Sequence, residues 1–331
     1  MGHKILVTGG AGYVGAVLVP QLIRRGHEVR VLDLMIYGDD VYNQQEFDRK
    51  KLEVFKGDIR DQDLLKKVLG GIDTVIHLAC ISNDPSFDLN PELGRSINLD
   101  AFEPLVKLSK QAGVKRFINA SSSSVYGIKE VASVTEDMSL EPLTDYSRFK
   151  AATEEILNRY ASPEWTVVSI RPATVCGYSP RQRLDVIVNI LTNHAYHNRE
   201  IKVFGGKQLR PNIHIQDMVE AYILLLDAPS EKINKQVFNA GLENHSVEKL
   251  AELVKKVIGD DVKVTFTETN DNRSYHISSD KICRELGFEY HHTIEDAIRD
   301  LKIAFDQGQL PDSLIQSKYF NIKKMLEVGL M

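Results

Sequence analysis

Cysteine is scarce in this chain, and long apolar runs are missing from it. The three cysteines among 331 residues, Cys80, Cys176 and Cys283, are isolated and odd in number. That speaks for reduced thiols and against a disulfide framework or a metal cluster, so no metal site is expected. No apolar run approaches the ~20 residues of a transmembrane helix, and the N-terminus passes directly into a strand pattern. Neither a membrane span nor a signal peptide is expected. An excess of positive charge is also lacking: the formal net charge of −5 argues against nucleic acid or an anionic membrane as a general partner. Linkers rich in Pro, Gly or Ser, internal repeats and low-complexity segments are absent too. With 43% hydrophobic and 26% charged residues, the composition is that of a soluble globular protein, and a cytoplasmic one is expected. The length admits one large or two moderate domains.

What the chain does contain is a regular alternation. Residues 4–7, 28–32, 52–55, 74–78, 116–120, 165–171 and 236–240 read as short apolar strands. Residues 14–24, 61–69, 92–111, 146–160 and 217–226 read as helices. Strands alternating with helices imply an α/β fold around a doubly wound parallel sheet.

Thr8-Gly9-Gly10-Ala11-Gly12-Tyr13-Val14-Gly15 follows the first strand and opens the first helix. Its glycines let a backbone approach a pyrophosphate, which the helix N-terminus then stabilises. Gly9, Gly12, Tyr13, Val14 and Gly15 are therefore expected at a dinucleotide, in a Rossmann-type arrangement. The second strand ends in Asp33, where a carboxylate would bond the adenosine 2′-hydroxyl and repel a 2′-phosphate, favouring NAD over NADP. Asp58 and Ile59 follow the third strand and are placed for adenine, while Leu78 and Ala79 follow the fourth and would line the pyrophosphate path. His77 reads as a packed strand residue. Pro20, inside the first helix pattern, removes one ladder bond and predicts a kink.

Ser122-Ser123-Ser124-Val125-Tyr126-Gly127 follows the fifth strand, and Tyr146-Ser147-Arg148-Phe149-Lys150 opens the next helix. Residues four apart share a helix face, so Tyr146 and Lys150 are neighbours. Holding a tyrosine as phenolate near pH 7 costs on the order of 4 kcal/mol. A neighbouring ammonium lowers that cost, as would the positive ring of an oxidised nicotinamide. Tyr146 could then take a hydroxyl proton while the carbon loses hydride. The spacing alone is unspecific: Tyr319 and Lys323 repeat it near the C-terminus with no serine strand before them. That second pair reads as an ordinary solvated helix face.

Taken together, these motifs resemble the extended short-chain dehydrogenase/reductases, the NAD-dependent nucleotide-sugar epimerase/dehydratase group. His77-Leu78-Ala79, Asn98, Arg171-Pro172 and Arg210-Pro211-Asn212-Ile213-His214-Ile215-Gln216-Asp217 add to the resemblance, which covers nearly the whole chain. It implies catalysis by Ser122, Tyr146 and Lys150, with Ser122 on the reacting sugar oxygen. Tyr146 and Lys150 would also touch the cofactor, Lys150 at the nicotinamide ribose, and Asn98 would join the cofactor-site network. It implies a Rossmann domain over residues 1–172, to which 213–241 returns, and a substrate domain that holds most of 173–331. Arg210 and Arg273 would contact the sugar-nucleotide diphosphate, since guanidinium forks suit phosphate oxygens. Arg181 and Arg183, in a basic cluster over 179–185, are further candidates for the substrate, as are Ser123, Ser124 and Thr174. The group often forms homodimers through the helices of 92–111 and 146–160.

Departures from the group's patterns narrow the chemistry. Relatives that eliminate water resemble Thr-Asp-Glu-Val-Tyr-Gly at residues 122–127, whereas this chain has Ser123 and Ser124 in the acid and base positions. Relatives that epimerise beside a ketone look like they carry cysteine where Ser124 stands. What remains is redox at one carbon, with C4 of the sugar the expectation. A 4-keto sugar that takes hydride back on its other face makes a 4-epimerase; one that leaves makes a 4-dehydrogenase, or a 4-reductase in reverse. All three use Ser122, Tyr146 and Lys150. Thr174 and Cys176 stand where Arg-x-x-Asn-x-Tyr-Gly relatives have asparagine and tyrosine, so a common UDP-hexose does not follow. Non-catalytic NAD-binding sensors of this fold typically lack the tyrosine or the lysine; both are present here.

Overall fold

The computed structural model describes every residue except 1, 44, 83, 88, 132, 270–273, 275 and 331. The chain runs through β1 (Lys4–Thr8), α1 (Gly15–Arg24), β2 (Glu28–Asp33), β3 (Leu52–Lys56), α2 (Gln62–Leu69) and β4 (Thr74–His77). The short helices α3 (Asp84–Phe87) and α4 (Pro91–Arg95) precede α5 (Phe102–Gln111), β5 (Arg116–Ala120), α6 (Asp145–Tyr160) and β6 (Thr166–Pro172). Next come β7 (Thr174–Cys176), α7 (Ile187–Asn198), β8 (Glu200–Phe204), β9 (Leu209–His214), α8 (Ile215–Asp227), α9 (Ser230–Ile233) and β10 (Gln236–Ala240). The remainder is β11 (Glu243–Ser246), α10 (Val247–Ile258), β12 (Lys263–Thr267), α11 (Asp280–Leu286), α12 (Ile294–Asp306) and α13 (Asn321–Glu327).

Seven parallel strands form the main sheet in the order β10-β6-β5-β4-β1-β2-β3. Its inner strands are apolar on both faces, as helix-covered parallel strands must be: Ile5, Leu6, Val7, Val75, Ile76, Phe117 and Ile118 are all fully buried. From β1 the chain winds outward through β2 and β3, then crosses to β4 on the other side of β1. That reversal opens a crevice between the carboxyl ends of β1 and β4. β10 closes the far edge on β6, its residues Gln236 to Ala240 in register with Val168 to Pro172. A three-stranded sheet (β11-β9-β7) and a two-stranded one (β12-β8) stand apart from it. They share an apolar core with α7, α10 and α12 through Val188, Leu191, Ile201, Leu250, Val254 and Ile298.

Two details differ from the sequence expectations, and a third shows how the first helix accommodates its proline. α1 continues through the buried Pro20, and the Ala16 carbonyl four residues before it accepts a bond from Gln45 Nε2 at 3.1 Å. A side chain distant in sequence thus replaces the ladder donor that proline lacks. The single helix expected over 92–111 is interrupted by a π turn at Ser96–Asp100. The wide turn carries Asn98 inward, where it donates to the Ile81 carbonyl at 2.9 Å and accepts from the Ile81 amide at 2.8 Å. Finally, Tyr319 and Lys323 do not share a solvated helix face. Tyr319 lies in a 3₁₀ turn (Ser317–Tyr319) ahead of α13 and is 3% exposed, packed with Leu184, Leu301 and Phe305.

Candidate active site

The glycine-rich loop folds as its composition demands. Gly9 has φ +73°, and a Cβ there would sit 2.6 Å from the Ala79 amide across the crevice. At Gly15 a Cβ would meet the Gly10 carbonyl at 2.3 Å. Side chains at either position would fill the cradle that brings the α1 N-terminus to the mouth of the crevice. Asp33 closes the cradle from β2: its Oδ2 accepts from the Ala11 amide at 3.0 Å and its Oδ1 from the Met35 amide at 2.8 Å. Burial raises its carboxyl pKa, and those two amides and Arg181 act in the opposite sense. Asp58 accepts from the Arg60 amide at 2.8 Å and from Arg60 Nη2 at 2.6 Å. Burial alone would raise its pKa, but the Arg60 hydrogen bonds outweigh it and hold the carboxyl low. Two carboxylates, an open helix N-terminus and glycines that leave the cradle unfilled fit the adenosine and pyrophosphate of a dinucleotide.

The catalytic candidates meet the same cavity. Thr144 opens α6 through a capping box with Ser147, which sets the start of the helix immediately before Tyr146. One turn later Lys150, 5% exposed, donates from Nζ to the Ala120 carbonyl at 2.7 Å, and its Nζ lies 5.9 Å from the centre of the Tyr146 ring. The serine strand end is anchored from below. Ser121 donates to Glu154, and Glu154 takes a bidentate bond from Arg171 at 2.9 and 2.6 Å, with both partners buried. A buried pair of this kind is costly to break from one side, so β5, α6 and β6 are locked behind the serines. Ser122 Oγ lies 2.9 Å from Ser124 Oγ. Tyr126 turns the other way, bonded to Asn239 and Arg171 at 2.7 Å each, and burial pushes its phenol up to about 12.

One cavity of about 460 Å³ joins these groups. Its lining includes Gly9, Gly12, Tyr13, Val14, Gly15, Asp33, Asp58, Ile59, Leu78 and Ala79 at one end. Ser122, Ser123, Ser124, Tyr146, Lys150, Thr174 and Arg210 stand at the other, with Arg181 and Arg183 also on the wall. Asn98 does not line it; it bonds the backbone of Ile81, which does. Arg273 lies outside the described residues. His77 is 4% exposed, its Nδ1 is 2.7 Å from Thr8 Oγ1, and burial, then the Lys150 charge, pushes its pKa down to about 3. It is a neutral packed residue, as expected.

Sequence reasoning missed several lining residues: Tyr37 after β2, Ser82 after β4, and Asn321, Met325 and Leu330 from the C-terminus. No motif marks them. Met325 packs with Leu6, Leu65 and Val75 against the main sheet, so the end of the chain returns to the nucleotide side. Among the lining residues, Asp33 and Asp58 are the carboxylates, and both stand away from the serines.

Among the described residues, no helix is long and apolar enough to cross a membrane. The model of the NAD dependent epimerase/dehydratase family matches residues 5–241. The UDP-glucose 4-epimerase of Lactobacillus helveticus is 29% identical over 321 residues, covering 89% of this chain and 94% of that protein. Among solved structures, the UDP-glucuronic acid 4-epimerase of Bacillus cereus, bound to UDP-glucuronic acid and NAD, superposes with a TM-score of 0.82. It is 25% identical and covers 92% of this chain and 99% of that one. DesIV of Streptomyces venezuelae, a dTDP-glucose 4,6-dehydratase, shares the fold with a TM-score of 0.83 at 24% identity, over 94% of this chain and 100% of that one.

Proposed function

This chain belongs to the NAD-dependent epimerase/dehydratase family and is an NAD-dependent enzyme of the extended short-chain dehydrogenase/reductase type, and from that premise we propose that it is a nucleotide-sugar 4-epimerase. The observation that carries the reading is the convergence of Ser122, Tyr146 and Lys150 on the cavity that also holds the glycine cradle and Asp33. Bound NAD would supply the acceptor, and later the donor, for one hydride. Tyr146 takes the proton of the sugar 4-hydroxyl as hydride leaves C4, and returns it when hydride comes back to the opposite face. Lys150 supplies positive charge beside the Tyr146 ring and so favours the phenolate. Ser122 holds the sugar oxygen through both halves of the reaction.

Two features support simple redox over loss of water. The positions that would carry an extra acid and base are Ser123 and Ser124, and the Ser124 hydroxyl is engaged with Ser122. The carboxylates of the cavity, Asp33 and Asp58, belong to its adenosine end. The 4-epimerases among the relatives support turnover of the keto sugar within the site. Arg210 borders both this cavity and a second one of about 380 Å³ lined by Ile187, Leu191 and Phe204, which supports a diphosphate bridging the two. Thr174 lines the first cavity together with the serines, which supports its place near the sugar.

The test is mass analysis of UDP-, dTDP-, GDP- and CDP-linked hexoses and heptoses incubated with the purified protein and no added cofactor. A new species of unchanged mass is expected. Loss of two hydrogens, stoichiometric with enzyme until an oxidant is supplied, would replace the epimerase with a 4-dehydrogenase. Loss of water would overturn the argument from Ser123 and Ser124.

A further inference from the structure

Arg181 and Arg183 stand on the loop after β7, yet that loop is bonded to the glycine-rich turn. Tyr13 Oη donates to the Gly177 carbonyl at 2.6 Å, Ser179 Oγ donates to the Tyr13 carbonyl at 2.7 Å, and Asn189 Nδ2 donates to Tyr13 Oη at 3.0 Å. Residues 177–183 are thereby pinned beside the N-terminus of the ten-residue helix α1. The Arg181 guanidinium lies 3.5 Å from the centre of the Tyr37 ring, four residues beyond Asp33. Arg183 donates to Ser82 Oγ at 3.2 Å, on the loop after β4. Both arginines therefore occupy the space between the ends of β1, β2 and β4.

Their donors are incompletely used. Arg181 is 7% exposed, donates from Nη2 to Asn321 Oδ1 at 2.8 Å, and its buried Nε has no hydrogen-bond partner among the described residues. Arg183 is paired with Asp185 at 2.6 Å, and its buried Nη2 is likewise without a partner among them. Buried guanidinium N–H groups without an acceptor are costly. Both arginines line the cavity, beside a helix N-terminus that favours negative charge, and two guanidinium groups there suit a dianionic group.

We propose that Arg181 and Arg183 clamp the pyrophosphate of bound NAD, so that residues beyond β7 and the C-terminal helix α13, through Asn321, complete the cofactor site. The two arginines then belong to the cofactor and leave the sugar nucleotide to other residues. Asn321 is the tether: it holds Arg181, donates from Nδ2 to Ser82 Oγ at 2.9 Å, and its amide bonds Asp185 at 2.8 Å. NAD release then requires α13 and the arginine loop to part from the glycine cradle, which keeps the cofactor in place between turnovers.

The inference rests on NAD binding and not on the sugar proposed above, so its test needs no turnover. Wild-type protein, R181Q and R183Q, freed of cofactor, are titrated calorimetrically with NAD and with adenosine; each is also titrated with UDP after saturation with NAD. Each substitution is expected to weaken NAD at least tenfold, while adenosine and UDP stay within twofold of wild type. Unchanged NAD affinity overturns the proposal, and so does a loss confined to UDP, which would assign the arginines to the substrate. If either variant fails to fold, R181K and N321A serve instead: both are expected to weaken NAD and to speed its release in stopped-flow displacement. Unchanged NAD affinity and release in that pair also overturn it.

Discussion

Ser122 and Ser124 share one hydrogen-bonded pair at the end of β5: their hydroxyls are 2.9 Å apart, and the Ser124 amide lies 3.2 Å from Ser122 Oγ. With the amide donating to it, Ser122 Oγ is oriented before any substrate arrives. Ser122→Ala removes the group that would hold the sugar oxygen, and a loss of kcat of about 100-fold is expected, the scale of one oriented donor. Ser124→Ala leaves Ser122 with its backbone donor and should cost no more than about tenfold. Steady-state kinetics on the substrate found by mass analysis decides it; equal losses would mean that the two hydroxyls act as one unit.

Tyr146 carries the proton in the mechanism proposed above. Tyr146→Phe keeps the ring beside the Lys150 ammonium and removes the acid–base oxygen. Turnover is expected to fall by about 10²- to 10⁴-fold, while calorimetric NAD affinity stays close to wild type. A fully active variant would overturn that mechanism.

The close approach at Gly15 makes a steric prediction. A methyl group there would meet the Gly10 carbonyl 2.3 Å away, and backbone on both sides leaves no flexible side chain to yield. Gly15→Ala is expected to cost about 1–3 kcal/mol of stability in urea melts, the range for overpacking. It should also weaken NAD more than tenfold, because the helix N-terminus is pushed from the cradle.

His77 gives the protein a titration signature. Burial, then Lys150, lowers its pKa to about 3, whereas the unfolded chain titrates near ~6.5. The unfolded state therefore binds the proton first on acidification. The contribution is fully present above pH ~6.5 and is lost as pH falls toward 3, at roughly 1.4 kcal/mol per pH unit. Urea melts at pH 7, 6 and 5 should show the gap between wild type and His77→Asn shifting by that slope, with the wild type losing ground as pH falls. A constant gap would mean that folding leaves the His77 pKa at its unfolded value.

The inner part of the main sheet was legible because each of its inner strands is a local apolar run. Residues 4–7, 28–32 and 116–120 coincide with β1, β2 and β5 within one residue, since a parallel strand buried on both faces advertises itself without its neighbours. The glycine cradle, Asp33, Ser122, Tyr146 and Lys150 were legible for a related reason: helix periodicity and strand ends set their positions within a few residues. The pairings of distant segments were not. Nothing near Pro20 announces that Gln45 serves the Ala16 carbonyl. Nothing near Asn98 announces the Ile81 backbone it bonds in both directions.

By itself, then, the amino-acid order determined the winding of the sheet and the chemistry at the strand ends, because both follow from short-range steric and hydrophobic rules. Only the tertiary structure decided which arginines line the cavity and that the last helix reaches it. Arg181 meets Tyr37 and Asn321 from 144 and 140 positions away, and no local rule couples residues so far apart. Packing of α13 against the main sheet through Met325 brings them together, and burial then makes their unmatched N–H groups consequential.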